Sequence, residues 1–348
     1  MSKRDEGRVA RSVAARAAVL AAVLAAAELA AAVRSGFPTV EASAEQAVAG
    51  SIRGVWTAER SKWRVENGAT ATLVELSLRR SDGHSHWSSS ETLPLPELRG
   101  LGAAQLDAAS ADVRFEWVRD AGSFACEGRF EAGAGAGHYV FAVNREYVSD
   151  MKRRGYGDLD DETALRLALH DVSRAFLDEL KSLGYEHASL DELMTLRIHG
   201  ASPEFIRGLA ALGYRKLTID QLASLRIHGA SVEFVRDVQS LGYAGLPVDG
   251  LVSFRIHGVS PEYLRAFKEL GYSSLSADQV VSMRIHGVSP DFAKELLALG
   301  YAKPSVDELV SLRIHGVTAD FVKRMQGRSG RNVSLDQVVS ARIHGQSE

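Results

Sequence analysis

The chain has one cysteine, Cys126, among 348 residues. That excludes an intrachain disulfide and a multi-cysteine zinc site. It has no excess of either charge: 41 Lys and Arg stand against 44 Asp and Glu, a formal net of −3. An overall basic footprint for a polyanion is therefore missing. HExxH, GxSxG, P-loop and Rossmann glycine patterns are all absent. No pair of carboxylates stands apart from helix starts and same-face ion pairs. The sequence gives no support to an enzyme, and neither catalytic residues nor a cofactor are expected. Cys126 lies in a strand-like run and reads as a small core residue.

What the chain does have is a period. Arg-Ile-His-Gly recurs letter for letter at a 29-residue step. The signature residues are Arg197, His199 and Gly200; Arg226, His228 and Gly229; Arg255, His257 and Gly258; Arg284, His286 and Gly287; Arg313, His315 and Gly316; and Arg342, His344 and Gly345. An aromatic keeps the same step at Tyr147, Phe176, Phe205, Phe234, Tyr263, Phe292 and Phe321, and a Gly-Tyr pair closes each unit. A fixed period of roughly 20–50 residues marks a solenoid.

One unit, Ser260 to Gly287, predicts two short helices. Ser260-Pro261-Glu262 starts the first: a capping hydroxyl, a proline at the first helical position and an early acid. Gly271 ends it. Ser276 with Asp278 starts the second, with Val280, Met283 and Ile285 as its apolar face. Helices this short are marginal alone, so each must stack on its neighbours. Glu204/Arg207, Glu233/Arg236, Glu262/Arg265, Asp291/Lys294 and Asp320/Lys323 read as same-face ion pairs. The recurring His falls in a last helical turn, where it can bond a free carbonyl. A histidine metal ladder is disfavoured: stacked helices lie about 8–10 Å apart, too far for two rings on one zinc at about 2.0–2.1 Å. The recurring Arg reads as a structural ladder.

Three domains follow. Residues 1–49 hold a basic stretch, an Ala-rich run from Ala17 to Ala27 and a linker. The run resembles a signal peptide; an Ala-rich soluble helix and a membrane anchor are the alternatives. Export to a periplasm is slightly favoured over a cytoplasmic location. Residues 50–144 alternate apolar with polar or small residues, predicting an antiparallel all-β meander of about six strands, a small sandwich or open barrel. Asp82-Gly83 and Ala121-Gly122 mark hairpin turns, and Gly133 to Gly137 a looser one. His84 and His86, with His138 as a conceivable third ligand, form a weak metal pattern on exposed strand positions. Residues 145–348 form the α-solenoid, with degenerate units at both ends. Thr163 to His170 lacks the Arg-Ile and has Asp171 in place of Gly, and Gln326 to Gly330 loses the closing motif.

The unit LSADQVVSMRIHGVSPDFAKELLALGY resembles the repeats at the C-terminal ends of some bacterial beta-lactam-receptor-type membrane zinc peptidases. The stretch opening Gly54-Val55-Trp56 also resembles a segment that precedes them. The peptidase itself is missing, so the resemblance implies a sensory or interaction module and carries over no catalytic residue. A fainter likeness runs to DNA-reading repeats of plant-pathogen effectors, but the His-Gly loop is constant here and encodes nothing.

The expected function is a non-enzymatic protein-interaction scaffold with a protein or peptide partner. Nucleic-acid binding along the Arg row is the second hypothesis. It is disfavoured by charge, since residues 188–348 hold 18 Lys and Arg against 17 Asp and Glu, a net of +1. Small-ligand or metal binding by the β domain is the third. Membrane association is expected only through the N-terminal run.

Overall fold

The computed structural model describes residues 52–61, 72–81, 86–329 and 333–345. The N-terminal run, the Asp82-Gly83 turn and His84 lie outside them, as do Gly330 and the side chain of His86. Among the described residues no helix is long and apolar enough to cross a membrane.

Seven strands form one antiparallel curled sheet: β1 (Ile52–Arg60), β2 (Leu73–Ser81), β3 (His86–Pro94), β4 (Leu98–Arg99), β5 (Ala111–Arg119), β6 (Gly122–Glu131) and β7 (Ala134–Val143). The order is β3-β2-β1-β7-β6-β5-β4. The edge strands β3 and β4 are joined by one 3-10 turn, Leu95–Glu97, so the chain itself draws the two edges of the sheet together. The architecture is an open half-barrel, and among the described residues there is no second sheet.

Alternation dictates its inside. Trp56, Phe115, Trp117, Phe124, Phe130 and Phe141 are all buried on one face. Trp117 stacks on its cross-strand partner Phe124 at 4.9 Å, and Phe124 meets Phe141 at 4.8 Å. The Trp56 indole lies across the facing pair Gly128 and Gly137 and donates Nε1–H to the Glu127 carbonyl at 3.2 Å. A Cβ on Gly128 would come within 2.6 Å of that indole. This corrects the expectation of a loose turn over Gly133 to Gly137. The turn is two residues, Ala132 and Gly133, both with positive φ, and the later glycines are strand positions: Gly135 leaves room for the Phe130 ring, and Gly137 lies close against the backbone of Glu127 and Gly128. A short helix α1 (Ala103–Leu106) packs on β5 and β6.

Asn144 caps the first helix of the array, accepting from the amides of Glu146 and Tyr147. Fourteen array helices are described, in two alternating series. The A series is α2 (Arg145–Arg153), α4 (Arg174–Ser182), α6 (Pro203–Ala211), α8 (Val232–Val238), α10 (Pro261–Glu269), α12 (Pro290–Ala298) and α14 (Ala319–Ser329). The B series is α3 (Asp161–Leu169), α5 (Leu190–Ile198), α7 (Ile219–Ile227), α9 (Val248–Ile256), α11 (Ala277–Ile285), α13 (Val306–Ile314) and α15 (Leu335–Ile343). A helices stack on A helices and B on B, giving a two-layer solenoid.

The local rules are visible at each end. Capping boxes start α5, α7, α11, α13 and α15. The B helices end in Schellman turns: the Gly200 amide bonds the Arg197 carbonyl, and the Ala201 amide the Leu196 carbonyl. The residue after each such glycine (Ala201, Ala230, Val259, Val288 or Val317) is fully buried. The closing tyrosines cross to the next unit. Tyr214 Oη donates to the Leu246 carbonyl at 2.6 Å and Tyr272 Oη to the Pro304 carbonyl at 2.6 Å, each 32 residues on. One hydrophobic core runs from the sheet through the array.

Since Phe234 is 6 % exposed and packs at a unit boundary, Phe234→Ala should destabilise the array by about 3–5 kcal/mol. Urea unfolding followed by circular dichroism measures this. A loss under about 1 kcal/mol, ordinary for a surface change, would contradict the stacking.

Candidate interaction face of the helical array

Each letter of the repeated motif has its own geometry. The Arg reaches back one unit. Its guanidinium lies over the aromatic 21 residues earlier: Arg197 over Phe176 at 5.2 Å, Arg226 over Phe205 at 5.1 Å, Arg255 over Phe234 at 5.0 Å and Arg284 over Tyr263 at 4.7 Å. Arg313 and Arg342 repeat this over Phe292 and Phe321. Its Nε–H donates to a carbonyl at the preceding B-helix end: Arg197 to His170 at 2.8 Å, Arg226 to His199 and Arg255 to His228 at 3.3 Å, and Arg313 to Gly287 at 3.0 Å. A carbonyl left over by helix geometry thus meets a cation that also favours a helix C-terminus.

The Gly holds the left-handed position that ends the helix, with φ of 68° at Gly200, 70° at Gly229 and 68° at Gly258. It also leaves room for the next Arg: a Cβ on Gly229 would lie 3.1 Å from the Arg255 Nη2. The His is the C-cap residue. At His286 the Nδ1–H donates to the Ser282 carbonyl at 2.8 Å, a bond that fixes the tautomer.

The Ile does none of this. Ile198, Ile227, Ile256, Ile285, Ile314 and Ile343 are each 55–58 % exposed. This corrects the placement of Ile285 on the buried face of its helix. In α7 the buried residues are Ile219, Leu222, Ala223 and Leu225. Ile227 follows Leu225 by two residues, about 200° around the helix, so it points outward. Helical phase is the signal that could have shown this: an apolar letter kept six times at a solvent position. From α5 onward the outward face of each B helix carries an Asp near its start, a Ser or Thr in the middle and the Ile at its end, as in Asp220, Ser224 and Ile227.

The first unit differs. Leu169 stands where later units place the exposed Ile, and it is 6 % exposed. Helix α3 packs against β6 and β7, and five of its nine residues are buried. Glu162 pairs with Arg80 of β2. Asp171 takes the place of the repeat glycine with φ of 51°, and its carboxylate accepts from Arg197 Nη2 at 2.5 Å. Asp120 at the β5–β6 turn locks the joint, taking the backbone amide of Arg174 at 2.7 Å and its guanidinium at 2.6 Å. Burial works to raise the Asp120 carboxyl pKa, but these bonds more than offset it and hold the group below its ordinary range.

Of the expected acid–base pairs, Glu204–Arg207 closes at 2.9 Å, and Arg207 also reaches Glu179 of the preceding unit. The other four pairs do not reach ion-pair distance. In Glu233 and Glu262 the carboxylate turns back to its own helix-start amide, then to the capping serine, and these bonds lower its pKa ahead of the nearby Arg. An amide at a helix start is a nearer partner than a long flexible cation.

His138 is exposed on β7, three strand positions from β3, which carries His86. At about 4.8 Å per step the strands that carry His86 and His138 stand well apart, and His84 lies outside the described residues. Among the described residues no group of three His, Cys, Asp or Glu side chains gathers for a metal. The concave face of the sheet is filled by its aromatics. Cys126 is 1 % exposed, and burial pushes its thiol up to about 12.

No protein-family model matches the chain, and it matches no curated protein.

Burial of Cys126 sets a direct expectation. At pH 8 the thiol stays protonated, and a disulfide reagent such as 5,5′-dithiobis(2-nitrobenzoate) should leave the native chain unmodified. In denaturant one thiol per chain should react at once. Rapid modification of the native protein would contradict the packing of β6.

Proposed function

We propose that this protein is a non-enzymatic interaction scaffold whose B-helix face binds another protein. The observation that carries this reading is the row of six exposed isoleucines, one per unit. Arg, His and Gly each make a bond or a turn that the fold needs. The Ile is kept with equal strictness and gains the fold little. Single exposed apolar residues need no account, whereas a contiguous row of them marks a contact surface. A solenoid presents such equivalent positions along one extended side. A sensory or regulatory role, as the likeness to peptidase-linked repeats implies, is compatible with the same surface.

Site-specific photocrosslinking in cells tests the reading. A benzophenone amino acid replacing Ile256 should give discrete higher-mass adducts. The same group at Lys268, exposed on an A helix, should give far fewer. Equal labelling at the two positions, or none at Ile256, would remove the scaffold assignment.

A further inference from the structure

The geometry points to an acidic protein segment as the partner, with a carboxylate docking on each repeat guanidinium and an aliphatic side chain covering the Ile beside it. This rests on the scaffold reading and adds the chemistry of the partner.

The chain contains one occupied copy of this arrangement. In the first unit Asp171 supplies the carboxylate, and Arg197 Nη2 donates to it at 2.5 Å. There Leu169, at the Ile position, is covered by the sheet. In the following units Asp171 is replaced by Gly200, Gly229, Gly258, Gly287 and Gly316. Among the described residues no carboxylate lies within ion-pair distance of Arg226, Arg255, Arg284, Arg313 or Arg342. The Nη2 atoms of Arg226, Arg255 and Arg284 instead lie 2.9–3.2 Å from where a Cβ on the preceding unit's glycine would stand, beside the place that the Asp171 carboxylate fills in the first unit. The later units therefore repeat the first with both its carboxylate and its apolar cover removed.

The guanidiniums are already ordered. In Arg226 and Arg255 the Nε–H is bound to a carbonyl and the flat face rests on a ring. The remaining Nη edge is fixed in direction, and a planar fork suits a carboxylate. Little side-chain freedom is left to lose on binding.

A phosphodiester strand fits less well. It would bring no aliphatic group to the Ile row. It would also run beside the Asp row of Asp220, Asp249, Asp278 and Asp307, exposed at the other ends of the same helices. With the array near neutral, these acids oppose a dense polyanion. A protein segment can space its charges. Packed helices lie about 8–10 Å apart, and three residues of an extended polyproline-type chain cover about 9 Å, so one acid and one aliphatic residue per triplet keep step with the array.

The test uses the full chain and fluorescence anisotropy near physiological salt. The probe is a labelled peptide of about five Glu-Leu-Pro triplets, compared with its Gln-Leu-Pro counterpart and with labelled single- and double-stranded DNA of similar length. The Glu peptide should bind at least about tenfold more tightly than the Gln peptide and than either DNA, a difference of about 1.4 kcal/mol. A triple variant Gly200→Asp, Gly229→Asp, Gly258→Asp gives three more guanidiniums the internal carboxylate of the first unit. Asp171 shows that this position admits Asp. The variant should lose about tenfold in affinity, while the Asn triple variant should lose less than about threefold. Ile198→Ser, Ile227→Ser and Ile256→Ser together should weaken binding by a similar factor, with unchanged circular dichroism.

Absent binding, equal affinity for the Glu and Gln peptides, or undiminished binding by the folded Asp variant overturns the proposal. Tighter binding of DNA assigns the row to nucleic acid instead. Crosslinks at Ile256 without Glu-peptide binding would retire this partner chemistry alone. Peptide binding without crosslinks would leave the chemistry and retire the cellular scaffold role.

Discussion

The structure depends on a contact between one repeat and the repeat before it. An Arg lies flat on the preceding aromatic and ties its Nε to the preceding helix end. The helices are nearly all nine residues long, too short to persist in water alone. Their stability comes from burying one side against a neighbour, and this rung sets the neighbour's position. It uses a carbonyl that helix geometry leaves unpaired and a ring that would otherwise meet solvent. A partly exposed cation over an aromatic contributes about 0.5–1 kcal/mol, and here the contribution recurs at every step. The tyrosine bonds in the other direction, from Tyr185, Tyr214, Tyr272 and Tyr301 to the following unit, close the same joints from the other side.

The sheet is the neighbour of the first unit. It covers Leu169 and offers Arg80 to Glu162, while Arg119, resting on Trp117 at 4.6 Å, lies near Asp171 and bonds Glu97. Half-burial raises the Glu91 carboxyl pKa against the pull of Arg119 and Arg197, so β3 also brings a charge to this joint. In the degenerate first unit the chain itself thus supplies the carboxylate on Arg197 and buries Leu169.

Much of this was legible in the letters. The period gave the stacking, and Ser-Pro-Glu and Leu-Gly-Tyr gave the helix ends, because caps are local chemistry. The Arg was legible as structural but not in its partners, since the carbonyl lies 27 residues back and the ring 21. Ile285 was misplaced because apolar letters in a short helix default to the core unless their phase is followed. Strand β3 was hard to read: His86–Pro94 is mostly Ser, Thr and Glu, with Leu93 as its one described residue that is fully buried. Gly135 and Gly137 looked like turn residues because what requires their smallness lies on the neighbouring strand: the Phe130 ring against Gly135, and the backbone of Glu127 and Gly128 against Gly137.

The inter-unit rung is tested most directly by a double-mutant cycle on Arg226 and Phe205, whose guanidinium and ring stand 5.1 Å apart. Arg226→Met, Phe205→Leu and the double variant are compared by equilibrium unfolding. A favourable coupling of about 0.5–1 kcal/mol is expected. Strict additivity of the two single changes would mean that the ladder does not hold the units together.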